Sequence, residues 1–274
     1  MRPAALAFCA LLALPAQALA QDPGAMAEPA DGWSITLGGA LIAAPAWQGS
    51  SETAVSVFPD IRANYGDTLF ASIPDGLGWN AINQDGWKAG PIAKIRFGRD
   101  EEDGGSPFRV TGDNDDLRGL GDIDAAVEVG GFVEKRFGAA DDWRLRGELR
   151  QGFGGHEGAL ADISLTYQAR WGRTRLSLGP RVSLASEDYM QTYFGIDAGQ
   201  SLRSGLPAYS AGGGVLSYGV GGAAVVPINR QAGFTVFGGF DRLGDEAANS
   251  PLVRLRGDRD QVTIGIGFGY RFGL

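Results

Sequence analysis

The chain is nearly without thiols. Its 274 residues include one cysteine, Cys9, and that residue falls in a stretch that reads as cleaved. What remains then has no disulfide and no cysteine-ligated metal. No Lys/Arg-rich run occurs and the net charge is −8, which argues against nucleic acid as a partner. Past the first 20 residues no apolar run is long enough for a membrane helix, and there is no heptad pattern. Glycine, by contrast, is abundant: 44 residues, scattered through apolar stretches instead of gathered into linkers.

The N-terminus reads as a secretory signal peptide, residues 1–20. Arg2 gives a positive start, Leu6 to Leu14 an apolar stretch too short to span a bilayer, and Ala18-Leu19-Ala20 a small-x-small cleavage site. Phe8 before Cys9 argues against a lipoprotein. Residues 21–32 are rich in Ala, Pro and Asp and read as an N-terminal tail. Residues 33–274 suit one large β domain.

The last strand sets the pattern. In Gln261 to Phe272, Val262, Ile264, Ile266, Phe268, Tyr270 and Phe272 fall on one side; Gln261, Thr263, three glycines and Arg271 fall on the other. The same alternation recurs in Trp33–Ala43, Val55–Tyr65, Trp87–Gly98 (with Trp87, Ile95 and Phe97 on the apolar side), Ala125–Phe137, Trp143–Phe153 and Ala161–Trp171. Leu176–Leu184, Val215–Val226 and Phe234–Leu243 follow it. Thr68–Ile73 and Leu77–Ile82 are shorter candidates; without them the count is 10, with them 12. Connections alternate between short turns (66–67, 83–86, 138–142, 172–174, 227–231) and generally longer loops (44–54, 99–124, 154–160, 185–214, 244–260). Strands of about 10 residues with such sidedness predict an all-β fold: a closed, antiparallel, up-and-down transmembrane β-barrel in the outer membrane. An even count places both termini on the short-turn, periplasmic rim.

Two sets of residues follow from the parity. Trp33, Tyr65, Trp87, Phe137, Trp143, Trp171, Tyr270 and Phe272 all fall on the apolar side at the short-turn rim, where an aromatic girdle is expected at the headgroup level. Lys94, Arg96, Glu128, Glu134, Arg144, Arg146, Glu148, Arg150, Arg170 and Arg181 fall on the opposite side. They are expected to line the lumen as paired charges, with Glu134 facing Arg146.

Several stretches, in order, resemble the MltA-interacting protein/outer membrane protein V (MipA/OmpV) family: GWKAGPIAKIRFGRDEEDG (86–104), GLGDIDAAVEVGGFVEKRFG (119–138), RQGFGGHEG (150–158), DYMQTYFG (188–195), RSGLPAYSAGGG (203–214) and SPLVRLRG (250–257). The resemblance implies an outer-membrane barrel of a Gram-negative bacterium in contact with lipid and lipopolysaccharide. It also implies a scaffold for cell-wall (murein) enzymes, joining a lytic transglycosylase and a penicillin-binding protein. It supplies no catalytic residues. The chain departs from the usual aromatic terminus, since Gly273-Leu274 follow Phe272.

Other chemistry is weaker. His156, with Glu157 and Ser164, offers a lipid-hydrolase arrangement, against a solvated turn histidine as the plainer reading; no oxyanion hole is evident. The acidic loop carrying Asp100, Glu101, Glu102, Asp103, Asp113, Asp115 and Asp116 lacks the order of a calcium loop and reads as solvated. No catalytic residue, cofactor or metal is expected. A narrow channel is the rival function, and the 185–214 loop, with Tyr189, Tyr193 and Tyr209, is the segment expected to close it.

Overall fold

The computed structural model describes residues 32–102, 104, 108–112 and 114–273. The signal peptide, the tail as far as residue 31, and Asp103 and Asp113 of the acidic loop lie outside the described residues. The strands are β1 (Trp33–Pro45), β2 (Thr53–Tyr65), β3 (Leu69–Ser72), β4 (Gly76–Trp79), β5 (Ile82–Gln84), β6 (Trp87–Arg96), β7 (Arg109–Thr111), β8 (Ala126–Phe137), β9 (Trp143–Gly154), β10 (Ala159–Trp171), β11 (Thr174–Ala185), β12 (Gly214–Pro227), β13 (Ala232–Leu243) and β14 (Asp260–Gly273). Four short helices sit in the long loops: α1 (Glu187–Phe194), α2 (Ala198–Ser204), α3 (Asp245–Ala248) and α4 (Pro251–Arg256).

Every strand pairing is antiparallel. The ring runs β1-β14-β13-β12-β11-β10-β9-β8-β6-β4-β3-β2 and closes where β2 pairs back onto β1. That is a closed barrel of 12 strands, and along its long strands the ladder meets the backbone donors and acceptors without water. The shorter count of 10 is set aside because β3 and β4 both take places in the ring. They are only four residues each, and β2 pairs with β3 only from Arg62 to Tyr65. Above that hairpin β7, unsignalled in the sequence, pairs with Val55 and Ser56 of β2. β5 pairs only with β6 through a two-residue turn in which Asp85 and Gly86 both have positive φ (54° and 74°). The 83–86 turn is therefore shorter than the sequence suggested, because Asp-Gly fits the twist of a tight hairpin.

Burial follows the alternation. In β14, Val262, Ile264, Ile266, Phe268 and Phe272 are exposed while Gln261, Thr263 and Gly269 are buried. Apolar side chains such as Leu41, Val57, Leu149, Ile163, Val220 and Val236 are exposed all round the ring, as hydrocarbon and not water would favour. One expectation fails: Phe97 lies past the end of β6 and packs with the inward cluster of Ile42, Ala44, Phe58 and Phe237. The strand ends at Arg96, so the alternation no longer governs the next side chain.

The outer face gives a direct check. Leu149 is 63% exposed near the middle of β9. Leu149→Arg is expected to lower stability in lipid vesicles by about 2–4 kcal/mol, the cost of a guanidinium near the bilayer midplane. The same change at Trp171, on the rim, should cost about 0–1 kcal/mol. Equal urea midpoints for the two variants would contradict a lipid-facing Leu149.

Candidate functional site

The eight aromatics expected to form a girdle gather at the short-turn rim. Trp33, Tyr65, Trp87, Phe137, Trp171 and Phe272 are exposed on the outer face, with Trp143 and Tyr270 half-buried. They touch one another in pairs: Trp33–Tyr65 at 5.4 Å between ring centroids, Phe137–Trp143 at 6.4 Å and Tyr270–Phe272 at 4.7 Å. Tyr167 joins them 5.0 Å from Trp143, and the ammonium of Lys135 sits 4.9 Å from the centre of the Trp87 ring.

The ten inward charges divide into three groups. Seven belong to one network on β6, β8 and β9. Lys94 Nζ donates to Glu148 Oε2 at 2.7 Å, and Arg146 donates to Glu148 Oε1 at 2.9 Å and Glu134 Oε2 at 3.2 Å. Arg96 donates to Glu128, and Arg150 donates to Glu128 Oε2 (2.8 Å), to Glu148 and to Asp162 Oδ2 (2.6 Å). Glu134 stands opposite both Lys88 and Arg146, and Lys94 opposite Glu128. Glu128 and Arg150 are 1% and 4% exposed. Buried charge is tolerable here only because each ion meets several partners.

Arg181 forms the second group. Its Nε donates to Asp241 Oδ1 at 2.7 Å, and Nη2 donates to Asp241 Oδ2. This bidentate pair links β11 to β13 across β12. Glycine makes room for it: a Cβ on Gly221 would lie 2.6 Å from Nη1, and one on Gly239 2.5 Å from Nη2. Asp241 went unnoticed in the sequence, although its place on the polar parity of β13 marks it as inward. Asp162, on the polar parity of β10, joins the first network through Arg150. The third group, Arg144 and Arg170, lies apart at the short-turn rim. Both line a cavity of about 650 Å³ together with Arg136 and Arg175.

At the opposite rim, loops from four connections meet, among the described residues, in a buried cluster that includes Trp47, Leu117, Tyr189, Met190, Phe194, Leu206 and Leu252, with Leu243 from the end of β13. α1 provides its centre, since Tyr189, Met190, Tyr193 and Phe194 occupy one helical face and are all buried. α4 starts on Pro251 with Ser250 as cap, and the Ser250 hydroxyl donates to Phe194 O at 2.6 Å, tying the two helices. α2 carries a capping box, Asp197 with Gln200. Tyr209 is only half-buried and ties its loop to α3, its hydroxyl donating to Glu246 O at 2.8 Å. Burial raises the pKa of Tyr189 and of Tyr193, keeping both phenols neutral. Burial also lowers that of Arg99 to about 10; still charged at neutral pH, it donates to Tyr193 O at 2.7 Å.

His156 sits beneath this cap, which corrects its reading as a solvated turn residue. It is 2% exposed, because the turn that carries it folds under α1. Gly152 leaves the space its ring fills. Nδ1 accepts the Gly158 N–H at 3.2 Å, so Nε2 carries the proton and donates to Glu128 Oε1, also at 3.2 Å. The rings of Tyr189 and Tyr193 lie 5.0 and 5.9 Å away. Glu157 points elsewhere, accepting from Gly154 N, and Ser164 stands opposite Arg146 and Arg181 in the sheet. The three do not form a nucleophile–base pair.

The acidic loop is bonded into the cap. Glu101 Oε2 accepts the amides of Gly119 and Gly121, each at 2.9 Å. The Gly121 and Gly119 bonds hold its pKa below the usual carboxylate value. Among the described residues no three His, Cys, Asp or Glu side chains gather to hold a metal ion.

A ring of strands that is apolar outside, ionic inside, aromatic at one rim and long-looped at the other is an outer-membrane β-barrel. Residues 37–272 match the family described as MltA-interacting protein MipA, and the chain belongs to that family. It is also 29% identical over 116 residues to a provisionally named outer membrane protein, YiaT, of Escherichia coli (strain K12); the match covers 42% of this chain and 45% of that one. Among solved structures it is similar to an outer membrane channel from Pseudomonas putida F1, with 14% identity and a TM-score of 0.45 over 92% of this chain and 100% of that one. It is similar too to the NanC porin, with 9% identity and a TM-score of 0.38 over 87% and 98%.

Proposed function

We propose that this chain is a closed, non-catalytic barrel that serves as a membrane-anchored binding platform facing the periplasm, and that it scaffolds murein enzymes there. The closed outer end carries this reading. The cap core over the loop rim, with Tyr189 and Phe194 both 0% exposed, leaves the short-turn rim as the accessible end. The family description, MltA-interacting protein, supports a murein transglycosylase as one partner. The turns on that rim are short, so the tail, residues 21–32, is the segment we assign to a soluble partner.

The test is an affinity pull-down from detergent-solubilised envelopes using the tagged full chain. A lytic transglycosylase and a penicillin-binding protein are expected in the eluate, and both should fall when residues 21–32 are deleted. Recovery of neither enzyme would remove the scaffold reading; unchanged recovery after the deletion would move the contact to the turns.

A further inference from the structure

His156 is the one histidine in the sequence, and it lies where the cap meets the wall. The turn that carries it, between β9 and β10, is tied to the start of α1. Ser186 N donates to Ala159 O and Ala159 N donates to Ser186 Oγ, both at 2.9 Å. Gly158 lies so close to the helix that a Cβ on it would be 2.5 Å from Tyr189 Cβ. In packing this tight, Gly158 and Tyr189 either move together or part. The rings of Tyr189 and Tyr193 meet the imidazole edge-on.

Both ring nitrogens are committed. Nδ1 accepts the amide of Gly158 and Nε2 donates to Glu128, each at 3.2 Å. That pattern belongs to the neutral ring. A second proton can enter only at Nδ1, where it would face the Gly158 N–H, donor against donor. Histidine is the side chain whose charge ordinarily changes between about pH 5 and 8. The surrounding groups do not offset the lost bond. Glu128, on β8, already accepts from Arg96 of β6 and Arg150 of β9, so two guanidiniums oppose its pull on a further proton. Asp162 of β10 is held by Arg150 and Ser183. Tyr189 and Tyr193 of α1 present neutral phenols, since burial raises their pKa. Arg99 lies against the Tyr193 ring and adds positive charge on that side. Glu157, next in the turn, is exposed and accepts from Gly154 N.

We propose that His156 is an acid-sensitive latch of the cap: a proton taken up at Nδ1 breaks its hold on Gly158 and loosens α1 from the turn beneath it. The fastened cap then holds one proton fewer at this ring than the loosened cap. Its stability therefore falls as pH falls, with the opening constant rising by at most about tenfold per pH unit. The latch does not rest on the scaffold reading and would work in a barrel that binds no murein enzyme.

Amide hydrogen exchange of the full chain in lipid nanodiscs, with no polyhistidine tag, reads α1 directly. Met190 N, for example, donates to Ser186 O at 3.0 Å. Rates are corrected for the intrinsic pH dependence of exchange. Protection over residues 187–194 is then expected to fall about tenfold or more between about pH 7.5 and about pH 5. Protection in the middle of β9 and β14 should change by less than about twofold, since the wall opens separately from the cap. His156→Asn sets an amide oxygen near the place of Nδ1 and cannot take the proton. Whatever its absolute level, protection of α1 in that variant should agree at the two pH values to within about twofold. Every carboxylate is still present there, so the comparison separates His156 from the acids around it. If the variant does not fold, nitrogen NMR of the histidine-labelled wild-type chain replaces it, because one residue gives the whole signal. The neutral ring should be the Nε2–H tautomer, and it should give way to the doubly protonated ring over the range in which α1 loses protection. Equal α1 protection in the wild-type chain at both pH values, a pH response that persists in His156→Asn, or a neutral Nδ1–H tautomer would overturn the proposal.

Discussion

Glu128→Ala should lower the stability of the folded barrel by about 3–5 kcal/mol, the usual penalty for stranding one half of a buried ion pair. Glu128 accepts from three donors: Arg96, Arg150 Nε at 2.8 Å and His156 Nε2 at 3.2 Å. Arg150 keeps Glu148 and Asp162 after the change. Among the described residues Arg96 keeps the Tyr189 ring, 5.1 Å from its guanidinium carbon, so the loss falls mainly on Arg96 and His156. Three comparisons isolate the charge. Glu128→Gln retains one acceptor oxygen and the side-chain volume, and should lose less. Arg96→Met in the Glu128→Ala background removes the stranded cation and should recover part of the stability, as expected for directly coupled residues. Arg150→Ala takes one donor from each of three carboxylates, but Glu128 keeps Arg96 and His156, Glu148 keeps Lys94 and Arg146, and Asp162 keeps the Ser183 hydroxyl, so it should cost less than Glu128→Ala. The measurement is the temperature at which the barrel loses its compact mobility on an unheated gel, read at one scan rate because barrel unfolding is judged by its rate. Wild-type behaviour from both Glu128 variants would mean that the network contributes nothing to the fold.

The barrel wall was legible in the sequence, and the cap was not, for physical reasons that differ by element. β9 and β14 alternate without a break, and a period of two assigns every side chain once a single strand is placed. A tight connection also fixes register, which is why Glu134 opposite Arg146 could be read from the chain. Arg181 and Asp241 are two strands apart, and their meeting depends on the stagger between β11, β12 and β13, which no local pattern records. The four helices span only four to eight residues each. Helices so short do not hold together by propensity; α1, α3 and α4 are held by the shared buried cluster, and α2 by its capping box and by Gln200 and Arg256 bonding to neighbouring carbonyls. β7 has three residues and forms only because the β3–β4 hairpin leaves the upper part of β2 unpaired. His156 was misjudged for the same reason: glycines flank it as in a surface turn, and only the placement of α1 above it makes it buried.

Excising the cap helices should turn a silent barrel into a conducting one. Ala185 and Gly214 are register partners at the ends of β11 and β12, so a short Gly-containing turn can replace residues 187–212 without moving either strand. This removes Tyr189, Met190, Tyr193 and Phe194 from the centre of the lid. It also uncovers Arg96 and His156, which those tyrosines contact. In planar bilayers the wild-type chain is expected to show no steady conductance and the excised variant a stable one. The conductance should favour anions, because β6–β11 turn ten cationic side chains inward (Lys88, Lys94, Arg96, Arg136, Arg144, Arg146, Arg150, Arg170, Arg175 and Arg181) against the carboxylates of Glu128, Glu134, Glu148 and Asp162. A double variant, Tyr189→Ala with Tyr193→Ala, should give a smaller and flickering version of the same current, since the rest of the lid still meets over the mouth. Steady current through the wild-type chain would make the channel the better reading and the closed platform the worse one. Silence from an excised variant that still folds would put the seal in the ion network, and combining the excision with Arg150→Ala would then be the variant to record.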